Sequence, residues 1–229
     1  MSNSSYLFAV GPTADGQLRH VLVAQARYES PLLFLLMCSV APTQVATRIF
    51  ANGDAEEPIA ILADFAGGRD CAEGFMDSCL TLNKQHPVVP HRELERMVAG
   101  VRSTLQRAEL AHATHFLLEA GEIIFMICAN KMQAARRLLM EVRQSPTQAK
   151  ERLRTIFLEP YCPPTDQADD DGFYIPDFDR MTDAEYFEFV REDFEDADAL
   201  RPPPEKLEKL GFGAFGATGY VNDFYTGGT

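Results

Sequence analysis

The stretch at residues 114–127, T-H-F-L-L-E-A-G-E-I-I-F-M-I, constrains this chain more than any other. Two apolar blocks, 116–118 and 123–127, flank the polar step Glu119-Ala120-Gly121-Glu122. The segment is too apolar for a surface and too short to span a membrane. It belongs inside the fold, where its two carboxylates need donors or a route to water. Gly121 and the β-branched Ile123 and Ile124 predict a strand over 114–119, a break, and then a short helix or second strand.

The residues before it read as its cover. Residues 5–10 form an apolar run ended by Gly11-Pro12, which predicts a strand and a turn. Residues 19–25 are β-branched enough for a second strand, and the two suit a hairpin. Ser30-Pro31 has the cap-then-proline pattern of a helix start. The helix over 32–40 is apolar nearly all round and is therefore expected to be buried. Pro42 is expected to open another turn or two of helix, with Val45, Ile49 and Phe50 inward, stopped at Asn52-Gly53. A strand-length run lies within 56–65. Gly67-Gly68 is expected to break the chain before a helix over 71–82.

After the break at His86 to Pro90, apolar residues recur at helical spacing at Leu94, Met97, Val98, Val101, Leu105 and Ala108, which predicts a helix over 92–113. Asn130 suits an N-cap for a stripe of Met132, Ala135, Leu139 and Val142. Ser145-Pro146-Thr147-Gln148 reads as the start of a separate helix, with Ala149, Leu153, Ile156 and Phe157 inward.

Charge divides the chain. Residues 1–160 hold 16 Lys+Arg and 17 Asp+Glu, whereas residues 161–229 hold 5 and 17. The expected organisation is an α+β domain over 1–160, mostly helical around a small β-sheet, followed by an acidic, aromatic-rich C-terminal extension over 161–229. The extension carries 13 of the 23 aromatics, which a purely solvating tail would lack. Thr182-Asp183-Ala184-Glu185 is a capping box. The helix it predicts carries Tyr186, Phe187, Val190 and Phe194 on one side, with Glu188, Glu192, Asp193 and Glu195 on the rest. Such a segment suits two tasks, docking on its own domain or binding a partner's basic, apolar groove. Direct contact of these carboxylates with nucleic acid is disfavoured by phosphate repulsion.

Five scattered cysteines without a C-x-x-C pair fit free thiols in a reducing compartment. The N-terminus has no basic region followed by a long apolar run, so a secretory signal is not predicted and a cytoplasmic location is expected.

Candidate chemistry is sparse. His112, His115 and Glu119 would share one face of a continuous helix at spacings suited to zinc, although no metal or other cofactor is expected on balance. Glu119 and Glu122 could act as a general acid and base if burial raised one pKa. Asp169-Asp170-Asp171-Gly172 fails as a calcium loop, because Gln167 and Phe178 fall at its first and last ligand positions. Gly211-Phe212-Gly213-Ala214-Phe215-Gly216 matches G-x-G-x-x-G without the strand and helix that a dinucleotide needs. A loop packing Phe212 and Phe215 on the domain fits it better.

The patterns Ser5-Tyr6-Leu7-Phe8, the apolar helix after Ser30-Pro31, and Phe116-Leu117-Leu118-Glu119-Ala120-Gly121-Glu122-Ile123 together resemble an uncharacterised family of bacterial proteins of unknown function, over residues 1–145. The resemblance implies a lineage and brings no catalytic residues. The expected function is a non-enzymatic protein-binding module, such as an immunity or adaptor protein. Tyr186, Phe187, Glu188, Glu192, Asp193, Phe194 and Glu195 would meet a basic partner. The alternatives are a hydrolase using Glu119, Glu122, His112 and His115, and a nucleic-acid mimic.

Overall fold

The computed structural model describes residues 4–13, 15–47, 58–127, 130–157 and 210–215. Five strands form one sheet: β1 (Ser4–Pro12), β2 (Leu18–Arg27), β3 (Thr43–Val45), β4 (Ala60–Asp64) and β5 (His115–Glu119). Their order is β2-β1-β5-β4-β3, and every pairing is antiparallel. Among the described residues five α-helices accompany them: α1 (Leu32–Met37), α2 (Phe65–Gln85), α3 (His91–Leu105), α4 (Gly121–Ile127) and α5 (Lys131–Phe157). The fold is α+β, as the sequence predicts. No helix among the described residues is long and apolar enough to cross a membrane.

The central apolar stretch becomes β5 followed directly by α4. β5 lies between β1 and β4, so both its edges are hydrogen-bonded. Phe116 and Leu118 are fully buried and point to the helical side, where the Phe116 ring lies 4.5 Å from that of Phe65. All six residues of α1 are buried. Gly68 makes this layer possible, because a Cβ there would sit 1.9 Å from the carbonyl oxygen of Met37. The C-terminus of α1 can therefore approach α2 at backbone distance.

The same spot corrects the expected break at Gly67-Gly68. Both glycines lie inside α2, which begins at the N-cap Asp64; its carboxylate accepts the Gly67 N–H at 2.6 Å. The cap and the packing outweigh the low helix propensity of glycine. Three other expectations are also corrected. The segment after Pro42 is the strand β3, not a helix. Its Thr43, Gln44 and Val45 pair with Leu62, Ile61 and Ala60, and the sheet edge supplies hydrogen bonds that one helical turn would not. Ile49, Phe50, Asn52 and Gly53 lie outside the described residues.

The helix expected over 92–113 ends at Leu105, and a 3₁₀ turn at Ala108–Leu110 leads the chain back toward β5. Finally, Ser145-Pro146 starts no new helix. α5 runs straight through it. Pro146 has no N–H for the Val142 carbonyl, and the buried Ser145 hydroxyl donates to that carbonyl instead, at 2.8 Å. Asn130 does cap α5, accepting the Gln133 N–H at 3.1 Å.

Side chains also tie the helices to one another. Arg102 of α3 reaches Glu73 and Asp77 of α2 at 2.7 and 2.6 Å, and these carboxylates hold its guanidinium pKa above the ordinary value. Asn83, 1% exposed, staples the turn between α2 and α3. It donates to the Val89 carbonyl and accepts from the Val88 and Val89 amides.

The sheet separates two apolar clusters. One holds Leu7, Ala9, Ile61, Ala63, Phe116 and Leu118 with residues of all five helices. The other holds Tyr6, Phe8, Val10, Ala60 and Leu117, with Leu22, Val45 and Leu62 at its margin. Strand alternation accounts for the division, since successive residues of β1 and β5 point to opposite faces.

Residues Leu210, Phe212 and Phe215 join the helical cluster. The Leu33 N–H donates to the Leu210 carbonyl at 3.2 Å, and the Phe215 ring stands edge-on to Phe34 at 5.8 Å. Gly211 adopts φ +88° with Pro31 2.3 Å from where a Cβ would lie, so glycine fits here on two counts. The G-x-G-x-x-G match is thus a packing loop over this part of its length.

Candidate functional site

The two carboxylates of the central stretch sit at one end of the sheet. Glu119 lies opposite Tyr6 in the β1–β5 ladder and is fully buried. Its Oε2 accepts a hydrogen bond from the Thr47 hydroxyl at 2.7 Å, and this is not its only interaction. Glu122, one residue into α4, accepts the Ser4 N–H at 2.7 Å. Gln25 donates from Nε2 to the Ser4 hydroxyl at 3.2 Å, and the Ser5 hydroxyl donates to the Glu29 carbonyl at 2.6 Å. These groups pin the start of β1 and the residues after β3 to the sheet.

A hydrogen-bond-accepting carboxylate with no exposure can order neighbouring chain, but it cannot meet a substrate without opening the structure. Glu119 is therefore a structural group in this conformation, while Glu122 is half-buried and holds the Ser4 amide. Sequence spacing placed the two side by side but could not show that strand, hinge and helix would occupy each with its own internal donor.

The metal constellation does not assemble. α3 has ended before His112, and Glu119 stands in a strand, so the helical spacing of His112, His115 and Glu119 is lost. His115 shares the sheet face of Val10, opposite it in the ladder, and its Nδ1 lies 2.9 Å from the Thr114 hydroxyl. His112 lies elsewhere, at the rim of an open cleft of about 210 Å³ with Gly11, Thr13, Arg19 and Glu109. Among the described residues, no three His, Cys, Asp or Glu side chains are grouped to hold a metal ion. Of the cysteines, Cys38 and Cys79 are buried and free. Burial pushes the Cys79 thiol up to about 12 and moves Cys38 in the same direction.

One charged surface was missed in the sequence. The exposed side of α5 carries Arg136, Arg143, Lys150 and Arg154 at spacings of seven, seven and four, which align them along one flank. Lys131, Arg137 and Arg152 are exposed as well; Arg137 pairs with the half-buried Glu141 at 3.2 Å, and Glu151 is exposed. The near-neutral body therefore hides a basic helix. A helix start assumed at Ser145-Pro146 cuts this stripe in two; the sevenfold spacing was the signal that could have joined it. The residues expected to meet a partner, Tyr186, Phe187, Glu188, Glu192, Asp193, Phe194 and Glu195, lie outside the described residues.

The family model for a domain of unknown function, DUF7822, matches residues 10–158. The chain belongs to this family. The match takes in the end of β1 and all of β2 through α5 and ends beside Phe157, so most of β1 precedes it and the acidic extension lies beyond it. No curated protein and no solved structure matches the chain.

Proposed function

We propose that this protein is a binding module whose acidic extension engages a basic protein partner, in the manner of an immunity or adaptor protein. The segregation of charge carries the reading. Residues 161–229 hold 17 Asp+Glu against 5 Lys+Arg, and 13 of the chain's 23 aromatics lie among them. Carboxylates gathered in this way steer a cationic surface toward the protein, while aromatic side chains supply anchors that charge alone does not. Glu188, Glu192, Asp193 and Glu195 are the carboxylates assigned to the partner. Tyr186, Phe187 and Phe194 are the rings assigned as its anchors.

The occupied state of Glu119 and Glu122 supports the same reading. Both are engaged in internal hydrogen bonds. The partner is expected to approach away from α5, whose exposed side is basic.

The test is an affinity capture with the full chain from lysate of its own source cells. It is repeated with a variant carrying Glu188→Gln, Glu192→Gln, Asp193→Asn and Glu195→Gln. A basic partner captured by the native chain and lost from the variant is the expected result, with capture weakening steeply as salt rises. Equal capture by both proteins overturns the proposal.

A further inference from the structure

The outer side of α5 is a charged surface opposite in sign to the extension. Arg136, Met140, Arg143, Thr147, Lys150 and Arg154 recur at alternating spacings of four and three residues, and every one of them is exposed. At about 100° per residue they fall within an arc of about 80°. That arc lies away from the buried Leu138, Val142 and Ala149. The seam runs for about 27 Å along the helix. No carboxylate interrupts it. Glu141 is turned aside toward Arg137. Among the described residues, Arg136, Arg143 and Lys150 make no ion pair.

Helix stability does not account for these cations. An exposed helix gains from mixed signs at spacings of three and four, whereas Lys150 and Arg154 repel each other at a spacing of four. The helix dipole favours acidic residues in the first turn, where α5 has none and begins at Lys131. Nor is the seam a plain solvated face. Met140 stands 58% exposed between Arg136 and Arg143. Its unbranched thioether adapts to what packs on it. Arginine and methionine are the residue types that protein interfaces enrich.

Spacing and charge define the occupant. Alternation of four and three is the repeat by which two helices lie side by side. Carboxylates at that repeat on a partner helix recur about every 10.5 Å, matching Arg136, Arg143 and Lys150. Guanidinium groups hold carboxylates with two hydrogen bonds at a time. A polyphosphate or an anionic bilayer fits less well. Either brings an extended field of negative charge to a chain whose net charge is −13. A helix brings only a few charges, and short-range pairing at the seam offsets their repulsion by the rest of the chain.

We propose that the seam from Arg136 to Arg154 is a docking surface for an acidic helix of a partner protein, with carboxylates at the same repeat. The protein then presents two docking surfaces of opposite sign. This goes beyond the basic-partner reading and stands without it, because it rests on α5 alone.

The test uses the full chain and a fluorescein-labelled, hydrocarbon-stapled helix of about 19 residues, the length of the seam. Its glutamates alternate at spacings of four and three, with one leucine to meet Met140. An isomer of the same composition has its glutamates spread around the helix. Anisotropy titrations compare the native chain with a variant combining Arg136→Gln, Arg143→Gln and Lys150→Gln, all at exposed positions. The seam peptide is expected to bind the native chain about ten-fold more tightly than the isomer, and the variant is expected to lose about ten-fold in affinity. Absence of binding, equal binding of the two peptides, or unchanged binding by the variant overturns the proposal. Tighter binding of a DNA duplex or of phosphatidylserine vesicles overturns it as well.

If the glutamine variant unfolds at lower urea than the native chain, charge reversal decides. A chain with Arg136→Glu, Arg143→Glu and Lys150→Glu is expected to bind the same peptide remade with lysines, and failure to do so overturns the proposal. Sedimentation of the native chain alone reads the other occupant. Self-association abolished by the glutamine substitutions assigns the seam to a second copy and overturns the proposal.

Discussion

The two faces of the sheet are built from alternate residues of the same strands, and both hold buried apolar side chains. On one, Phe116, Leu118, Leu7 and Ile61 are fully buried under α1 and α2. On the other, Phe8, Leu117 and Ala60 are as well sealed, at 2%, 4% and 0% exposure, while every described member of their cluster is a strand residue. An antiparallel sheet with one wet face shows apolar and polar residues in alternation. The run Y-L-F-A-V in β1 shows none, and neither does F-L-L in β5. An unbroken apolar strand is the mark of a sheet covered twice. The comparison teaches that such a pattern counts the layers of a fold but does not name them.

The sharpest way to break the comparison is a pair of matched truncations read by urea unfolding of the full chain. Phe116→Ala on the helical face is expected to cost about 3–5 kcal/mol. Phe8→Ala is expected to cost nearly as much, because its ring is equally enclosed. A loss below about 1 kcal/mol at Phe8 would mean an open face and would separate the two sides.

Within the helical layer, Asn83→Ala removes three hydrogen bonds from the turn between α2 and α3. Two buried amides and a carbonyl then lack that partner, and a loss of about 1–3 kcal/mol is expected by the same measurement. A near-zero change would show that this turn contributes little to the layer.

The buried thiols give a pH test of the same side. Folding raises the Cys79 pKa to about 12, whereas the unfolded thiol ionises near 8.5. The native state therefore holds its proton where the unfolded state has lost it. The thiol's stabilising contribution is complete below about pH 8.5 and declines as pH rises toward about 12, by up to about 1.4 kcal/mol per pH unit. Unfolding midpoints at pH 8 and pH 10 should diverge more in the native chain than in Cys79→Ala. Identical slopes would mean that the thiol is reached by water and the helical face is looser than its burial indicates.

The smallest effect is expected at Arg102. Its side chain is 32% exposed, and its partners Glu73 and Asp77 are in contact with solvent. Arg102→Gln should lower stability by less than about 1 kcal/mol and less again in high salt. A larger, salt-independent loss would place the tie between α2 and α3 among the core contacts.

Local patterning made much of the fold legible. The β1–β2 hairpin, the buried α1, the strand-then-helix of the central stretch and the Asn130 cap all follow from runs, turns and caps a few residues long. The errors share a cause. Gly67-Gly68 reads as a break, Pro42 as a helix start and Ser145-Pro146 as a boundary, because each carries a residue with a strong intrinsic preference. In the first two a contact from elsewhere overrides it, and in the third the neighbouring side chain does. Met37 presses its carbonyl on Gly68, β4 recruits Thr43 to Val45 into the sheet, and the Ser145 hydroxyl replaces the amide that Pro146 lacks.

The candidate site was less legible than the fold. Glu119 and Glu122 stood out, but their donors, Thr47 and the Ser4 amide, lie 72 and 118 residues away in the chain. The basic flank of α5 was hidden by the boundary assumed inside it.

Sequence alone determined the apolar central stretch, the composition of each strand and the gathering of negative charge after residue 160. These depend on which residues are neighbours along the chain. Only tertiary structure decided that Glu119 is locked away and that His112 and His115 part company. Those outcomes depend on which distant segments meet, and no local preference encodes that.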